Sequence, residues 1–389
     1  MTINEPTVIV QDVEKIAERP YGNAGKIALI GVFPSTDSAT AVDVYTTLDS
    51  AQSKLKGSAT ASQLESNVAY GCLPYIFAQG NQSKGAEQVL IVNLSAIVEN
   101  ATLTNNTLAT ALNLLAEEDF DILTIADAIA LGTEGTLNTM WTTLHTFAKE
   151  MYANQKPFGI ITGVTLPAQS DETGVAMATA FKTLFQDKGI YKAVTTPVIL
   201  KGETDALSIA QSGCWHSSFT AGRTVNRSET AKVYEDIIGQ DTKSLYPIIE
   251  ATTKLDWEKL VDNGFHTTKY RNRRTNTIEC ITNLTPTKNA DGSLRDMKIE
   301  RVKNYIVKRL ALRDVLGEDN TDITLGYVKG LFEYEKKLAI QNNYLTDMEY
   351  NILQCSSKCI QCELALEIAD VVRTVKLNVS LEITPFEEA

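Results

Sequence analysis

The chain has 389 residues, 43% of them hydrophobic and 22% charged, which is ordinary globular composition with length for one large or two medium cores. Its formal net charge of −12 argues against general nucleic-acid binding, and no apolar run reaches the roughly 18 residues that a membrane span needs. The charge is uneven: residues 1–250 hold 16 basic and 27 acidic side chains (net −11), whereas residues 251–389 hold 20 and 21 (net −1), so the first part reads as a solvated outer surface and the second as a part able to face something acidic.

Residues 1–6 show no basic stretch followed by an apolar core, so no secretory signal is expected. TVIVQDVEK at 7–15 is a short β-prone segment centred on Val8, Ile9 and Val10. It reads as an ordinary edge strand or as an arm that leaves the body. Pro20, Gly22 and Gly25 make the exit from it flexible. From residue 26 the pattern changes. Continuous apolar runs at 27–33, 88–94, 120–125, 158–164 and 193–199 read as strands covered on both faces. Helical stretches at 61–79, 107–118, 137–154 and 172–188 separate them, and 208–223 reads as a closely packed helix of small residues. Strand–helix alternation of this kind predicts a mostly parallel α/β sheet.

A second unit begins near residue 246. It opens with a short helix at 255–263 and strands near 270–276 and 278–284, then a polar turn, Asn289 to Gly292. A helix over 293–315 places Ile299, Val302, Ile306 and Leu310 on one face and carries Lys298, Arg301, Lys308 and Arg309. A second helix over 322–342 has a poorer stripe, Val328, Leu331, Glu335 and Leu338, and carries Lys329, Lys336 and Lys337. Near the end, Cys362, Leu364, Leu366 and Ile368 alternate with Glu363, Ala365 and Glu367. After a break at 369–372, Val375, Leu377, Val379, Leu381 and Ile383 share one face of a second alternating run. The eleven residues 373–383, at about 3.3 Å each, would span roughly 36 Å.

Catalytic signatures are thin. Cys355, Cys359 and Cys362 have the x3, x2 spacing of a three-thiolate iron–sulfur site, but only 27 residues follow where a barrel would be needed, and Gln361 stands where an aromatic residue is usual. The competing reading puts Cys362 on the apolar face of a strand. Six cysteines without framework spacing suit a reducing compartment. No phosphate loop is present: the glycines near 22–26 and 80–85 lack the required order, and Gly132 and Gly135 form a lone pair. His145, His216 and His266 have no ligand spacing. His216, beside Trp215, is the best single candidate, with a packed core histidine as the alternative. Lys269 to Arg274 (KYRNRR) is the densest basic cluster, either a solvated hairpin or a contact for an acidic partner such as a neighbouring copy.

Three stretches resemble the contractile tail sheath proteins of bacteriophages and of phage-derived injection systems such as R-type bacteriocins. They are PYGNAGKIALIGVFP at 20–34, followed by VYTTL at 44–48, residues 67–80 and the strand at 89–94; LVDNGF at 260–265; and the strand–break–strand ending over 362–383. The resemblance implies an α/β chain, α+β overall: an N-terminal arm (1–19), an inserted outer α/β sheet domain (20–245), a C-terminal α+β core domain facing a tube (246–368) and a C-terminal arm (369–389). It implies a structural subunit without enzyme activity or cofactor, stacked in hexameric rings around an inner tail tube, with baseplate and terminator proteins as further partners and no nucleic acid or membrane. Its place would be the tail of a virion or injection particle assembled in a host cytoplasm. The arm strands would be exchanged between copies through Val8, Ile9, Val10, Val375, Leu377, Val379, Leu381 and Ile383. The basic residues Lys298, Arg301, Lys308, Arg309, Lys329, Lys336 and Lys337 would face the tube. Two rivals stay open at this point: a cytosolic α/β enzyme, nucleotide-dependent or iron–sulfur, and a non-contractile oligomeric scaffold.

Overall fold

A computed structural model describes residues 25–77, 85–225, 227–230, 232–238, 241–289, 291–310, 322–356 and 359–368. Its centre is a seven-stranded sheet. The strands are β1 (Lys26–Gly31), β2 (Val42–Tyr45), β3 (Gln88–Asn93), β4 (Ile122–Ile125), β5 (Ala128–Ala130), β8 (Gly159–Thr165) and β9 (Ile190–Val194), with a small hairpin, β6 (Gly132–Thr133) and β7 (Thr136–Leu137), beside it. All pairings in the large sheet are parallel except that of edge strand β2 with β3. β4 and β5 occupy successive stretches along one side of β8, and β9 lies along the other.

Helices cover both faces, which is why the strands are mostly apolar at successive positions rather than at alternate ones. Ala28 and Ile30 of β1 join one core with α4 (Asn105–Leu115), α5 (Thr139–Ala153) and α6 (Gly174–Leu184). Ile27 and Leu29 join the other, with α1 (Leu48–Leu55), α3 (Val68–Ile76) and α7 (Ile209–Ala221). Helix starts follow local chemistry. Thr104 and Ser208 build capping boxes that satisfy first-turn amides of α4 and α7. The single helix expected over 61–79 is two, α2 (Ala61–Ser66) and α3. Asn67 ends the first in extended geometry and caps the second by accepting from the Tyr70 amide. The strand expected over 193–199 begins earlier, as β9, and stops before Pro197, which has no N–H for a ladder.

A second, antiparallel sheet has the order β10 (Ile199–Leu200), β11 (Val233–Ile238), β13 (Thr277–Thr282), β12 (Thr267–Asn272). Its strands come from both sides of residue 245, so the two expected bodies share it. The short helices α8 (Thr242–Leu245) and α9 (Trp257–Asp262) lie between β11 and β12 in sequence, and a β14 (Leu284–Lys288)–β15 (Leu294–Asp296) pair follows. Then come α10 (Met297–Arg309), α11 (Asp322–Gln341) and a two-stranded hairpin, β16 (Asp347–Ser356) and β17 (Cys359–Glu367). A third core joins them through Val302, Ile306, Val328, Phe332, Ala339 and Met348.

Candidate functional site

Helix α10 is enclosed on most sides, because it lies between the large sheet and α11. Met297 joins the core under α3 and α7, and Asn304 donates to the Phe158 carbonyl and to the Tyr191 hydroxyl. Val302 and Ile306 face α11. The basic residues on this helix are drawn in with it. Arg301 is 3% exposed and donates through Nη2 to the carbonyls of Thr220 and Arg223, both at 3.0 Å, so it caps the end of α7. Arg309 is 4% exposed and forms a bidentate pair with Glu335 of α11, with N···O distances of 2.9–3.1 Å. Lys308 reaches Asp119 and Asp121, each at 3.0 Å, and the Phe120 carbonyl. Burial alone would raise the Asp119 carboxyl, but the charges of Lys308 and Lys26 overcome it and hold it at about 2. Arg301, Lys308 and Arg309, expected from the sequence to face a partner, thus each bind groups of their own chain. Their charges are answered inside the chain, where a buried charge needs a partner.

Of the remaining basic candidates, Lys298 is half-buried at the start of α10 and Lys336 pairs with Asp347 at 2.9 Å. Lys329 and Lys337 are exposed. They share a solvent-facing stripe of α11 with Gly326, Gly330, Glu333 and Ile340, opposite Val328, Leu331, Phe332, Glu335 and Ala339.

Beyond α11, the β16–β17 hairpin pairs in continuous antiparallel register from Asp347↔Glu367 to Gln354↔Ile360. Tyr350, Ile352, Cys362, Leu364 and Leu366 turn toward the third core. Glu349, Asn351, Glu363, Ala365 and Glu367 are exposed on the other face. Among the described residues neither outer edge of the hairpin is paired, although the strands run 10 and 9 residues. Such open edges are usually blunted or filled. The residues expected to fill edges of this kind, Val8, Ile9, Val10, Val375, Leu377, Val379, Leu381 and Ile383, lie outside the described residues. Sequence reading missed β16, although Met348, Tyr350 and Ile352 alternating with Glu349 and Asn351 carry its signal.

The other chemical candidates resolve into packing. Cys362 is half-buried against the third core, and β16 and β17 run through the three-cysteine stretch as a hairpin. Among the described residues no group of His, Cys, Asp or Glu is placed to hold a metal ion. His216 is 1% exposed, with its ring 4.5 Å from that of His266, and its pKa is pushed well below the usual histidine range by burial and the neighbouring charges of His266 and Lys192. His266 is held at about 3 by burial and by Lys192. These histidines border a buried ion pair in which Lys192 Nζ donates to Glu229 at 2.6 Å and to Thr220 Oγ1 at 3.0 Å, while the Tyr234 hydroxyl donates to Glu229 at 2.8 Å. Lys192 and Glu229 side chains are each 1% exposed, so the network ties β9, α7 and β11 together within the core.

No family model and no curated protein sequence matches the chain. Solved structures do. A sheath tail protein from Listeria innocua superposes with a TM-score of 0.56 at 14% identity, covering 92% of this chain and 98% of that one. One from Desulfitobacterium hafniense gives 0.56 at 13% identity, covering 90% and 98%. The chain has the fold of tail sheath proteins. The similarity extends to the sheath of an extracellular contractile injection system in its contracted state, with a TM-score of 0.57, 10% identity and 93% of each chain covered. The sheath fold thus spans both the large sheet and the α10–α11–hairpin unit, as the resemblance in sequence implied.

Proposed function

We propose that this chain is the subunit of a contractile tail sheath, polymerising through exchanged terminal strands around an inner tube. The observation that carries the reading is the β16–β17 hairpin: long, apolar on its core face and, among the described residues, open on both edges, in a fold shared with sheath proteins. The sequence supplies two alternating segments at its ends, near 8–10 and 373–383, able to add to those edges. About six new backbone hydrogen bonds at roughly 1 kcal/mol each, with a few buried Val or Leu side chains, give a gross gain on the order of 10 kcal/mol per arm before ordering costs. Links of that strength would persist while the bodies repack from stacked hexameric rings to a contracted lattice, with lattice energy in place of a nucleotide cycle. Contact with the tube then falls chiefly to the exposed stripe of α11, through Lys329 and Lys337, since Arg301, Lys308 and Arg309 of α10 bind groups of their own chain.

The test is deletion of residues 373–389. The truncated chain should remain folded and soluble yet form no striated hollow cylinders in negative-stain micrographs where the full chain does. Cylinders from the truncated chain would rule out strand exchange by the C-terminal arm.

A further inference from the structure

The antiparallel sheet β10-β11-β13-β12 carries opposite charge at two of its corners. The end of β12 and the turn that follows it expose Arg271, Arg273 and Arg274. One carboxylate, Glu279, answers this side, 3.2 Å from Lys269 and 3.7 Å from Arg271. Arg273 lies 5.4 Å from the centre of the Tyr270 ring, and neither it nor Arg274 makes an ion pair among the described residues. At the other edge, the loop after β10 exposes Glu203 and Asp205, and β11 exposes Glu235; none of the three makes an ion pair among the described residues. Lys201 offsets part of that charge.

Register sets these corners diagonally apart. Ile199 faces Ile238 and Ile238 faces Thr277, so the arginine turn lies past one end of β11. The Lys201 amide donates to the Asp236 carbonyl, which puts the acidic loop toward the other end. Three strand spacings, roughly 14 Å, separate the two edges laterally. The outward amides of β12 are already used: Thr268 N donates to Thr242 Oγ1 and Tyr270 N to Asp241 Oδ2. This edge therefore offers side-chain charge at its tip, and its backbone at these positions is closed to strand addition.

We propose that the arginine turn of one copy docks on the Glu203–Asp205–Glu235 corner of the next, a head-to-tail contact between sheet bodies that is separate from the terminal strands. It rests on the assembly reading above. Two unlike corners on one rigid body make a heterologous contact, the kind that builds rings and helices. A second copy fits better than a nucleic acid, because each chain offers three exposed arginines at one corner and three exposed carboxylates at the other, and carries −12 overall. Exposed charges of this kind are screened over about 8 Å at physiological ionic strength, so the contact weakens with salt.

Two full-length variants test it: Arg271→Glu/Arg273→Glu/Arg274→Glu, and Glu203→Lys/Asp205→Lys/Glu235→Lys. Circular dichroism melts confirm folding, and an Arg→Gln set at the same three positions gives a milder version. At low salt, by sedimentation and negative stain, each reversed variant alone should need roughly tenfold or more protein to polymerise, because like charges then face each other. An equimolar mixture should polymerise near the wild-type concentration, since each reversed corner then meets its complement on the other variant. Variants that polymerise like wild type, or a mixture no better than its components, overturn the proposal. A wild-type chain that forms no polymer at all would instead sink the assembly reading beneath it.

Discussion

Replacing Arg309 should loosen α11 from α10 without disturbing the large sheet. The Arg309 and Glu335 side chains are 2% and 0% exposed and share three N···O contacts of 2.9–3.1 Å. Arg309→Leu leaves the Glu335 carboxylate in the third core without its guanidinium, at a cost of about 3–5 kcal/mol. The effect should appear as local opening of the α10–α11 unit, because that core is small and separate from the two sheet cores. At about 1.4 kcal/mol per tenfold, the opening equilibrium rises on the order of a hundredfold or more. Hydrogen exchange read by mass spectrometry on peptides covering 328–341 reports it directly, with peptides from β1 and β8 as internal controls. The double variant Arg309→Leu/Glu335→Leu removes both charges and fills similar volume, so protection should return to about the wild-type level or above it. Equal protection in Arg309→Leu and wild type, or a double variant as loose as the single one, would show that the pair does not hold these helices together.

The buried histidines predict acid sensitivity. His266 is held at about 3 and His216 well below its usual value, so both stay neutral in the fold while the unfolded chain protonates them near 6.5. Their contribution is complete above pH 6.5 and is lost as pH falls below it, at about 1.4 kcal/mol per pH unit for each group. Glu229, held at about 2 by Lys192 against the opposing effect of burial, acts in the same direction below about pH 4.5. Urea midpoints measured from pH 7 to 4 should fall steeply, and flat midpoints would refute the burial of both rings. Gly213 of α7 sits against β8, where an added Cβ would lie 2.5 Å from the Gly163 amide nitrogen. Gly213→Ala should destabilise by about 1–3 kcal/mol in the same assay, and an unchanged midpoint would mean that helix and strand do not approach so closely.

The large sheet was legible because a strand covered on both faces is a near-continuous apolar run, whereas a half-exposed strand alternates. Four of the five expected strands fall on β1, β3, β4 and β8. The fifth slid toward the N-terminus because the apolar run 193–199 contains Pro197, which ends β9 and leaves Ile199 and Leu200 to start another sheet. β11 stayed hidden: VYEDII places Glu235 and Asp236 mid-strand, and only its partners β10 and β13 explain why it is extended. In the hairpin, β17 was read from its alternation, whereas β16 was overlooked despite the same period.

Arg301, Lys308 and Arg309 were misplaced in the sequence reading for a different reason. A basic residue read from sequence is presumed solvated, and what decides otherwise is a counter-charge or carbonyl far along the chain. Glu335 stands 26 residues after Arg309, the Thr220 carbonyl 81 before Arg301, and Asp121 187 before Lys308. The near-neutral balance of residues 251–389 therefore overstates the positive surface that the C-terminal part can show. Three of its cations fasten α10 to α7, α11 and the start of β4, and Lys336 is tied to Asp347. With the acidic residues Glu349, Glu363 and Glu367 exposed on the hairpin, the exposed positive charge outside α11 is densest, among the described residues, at the β12–β13 turn. Among the described residues Lys329, Lys337 and that turn are exposed cations of this part, and each is separable from the others by substitution.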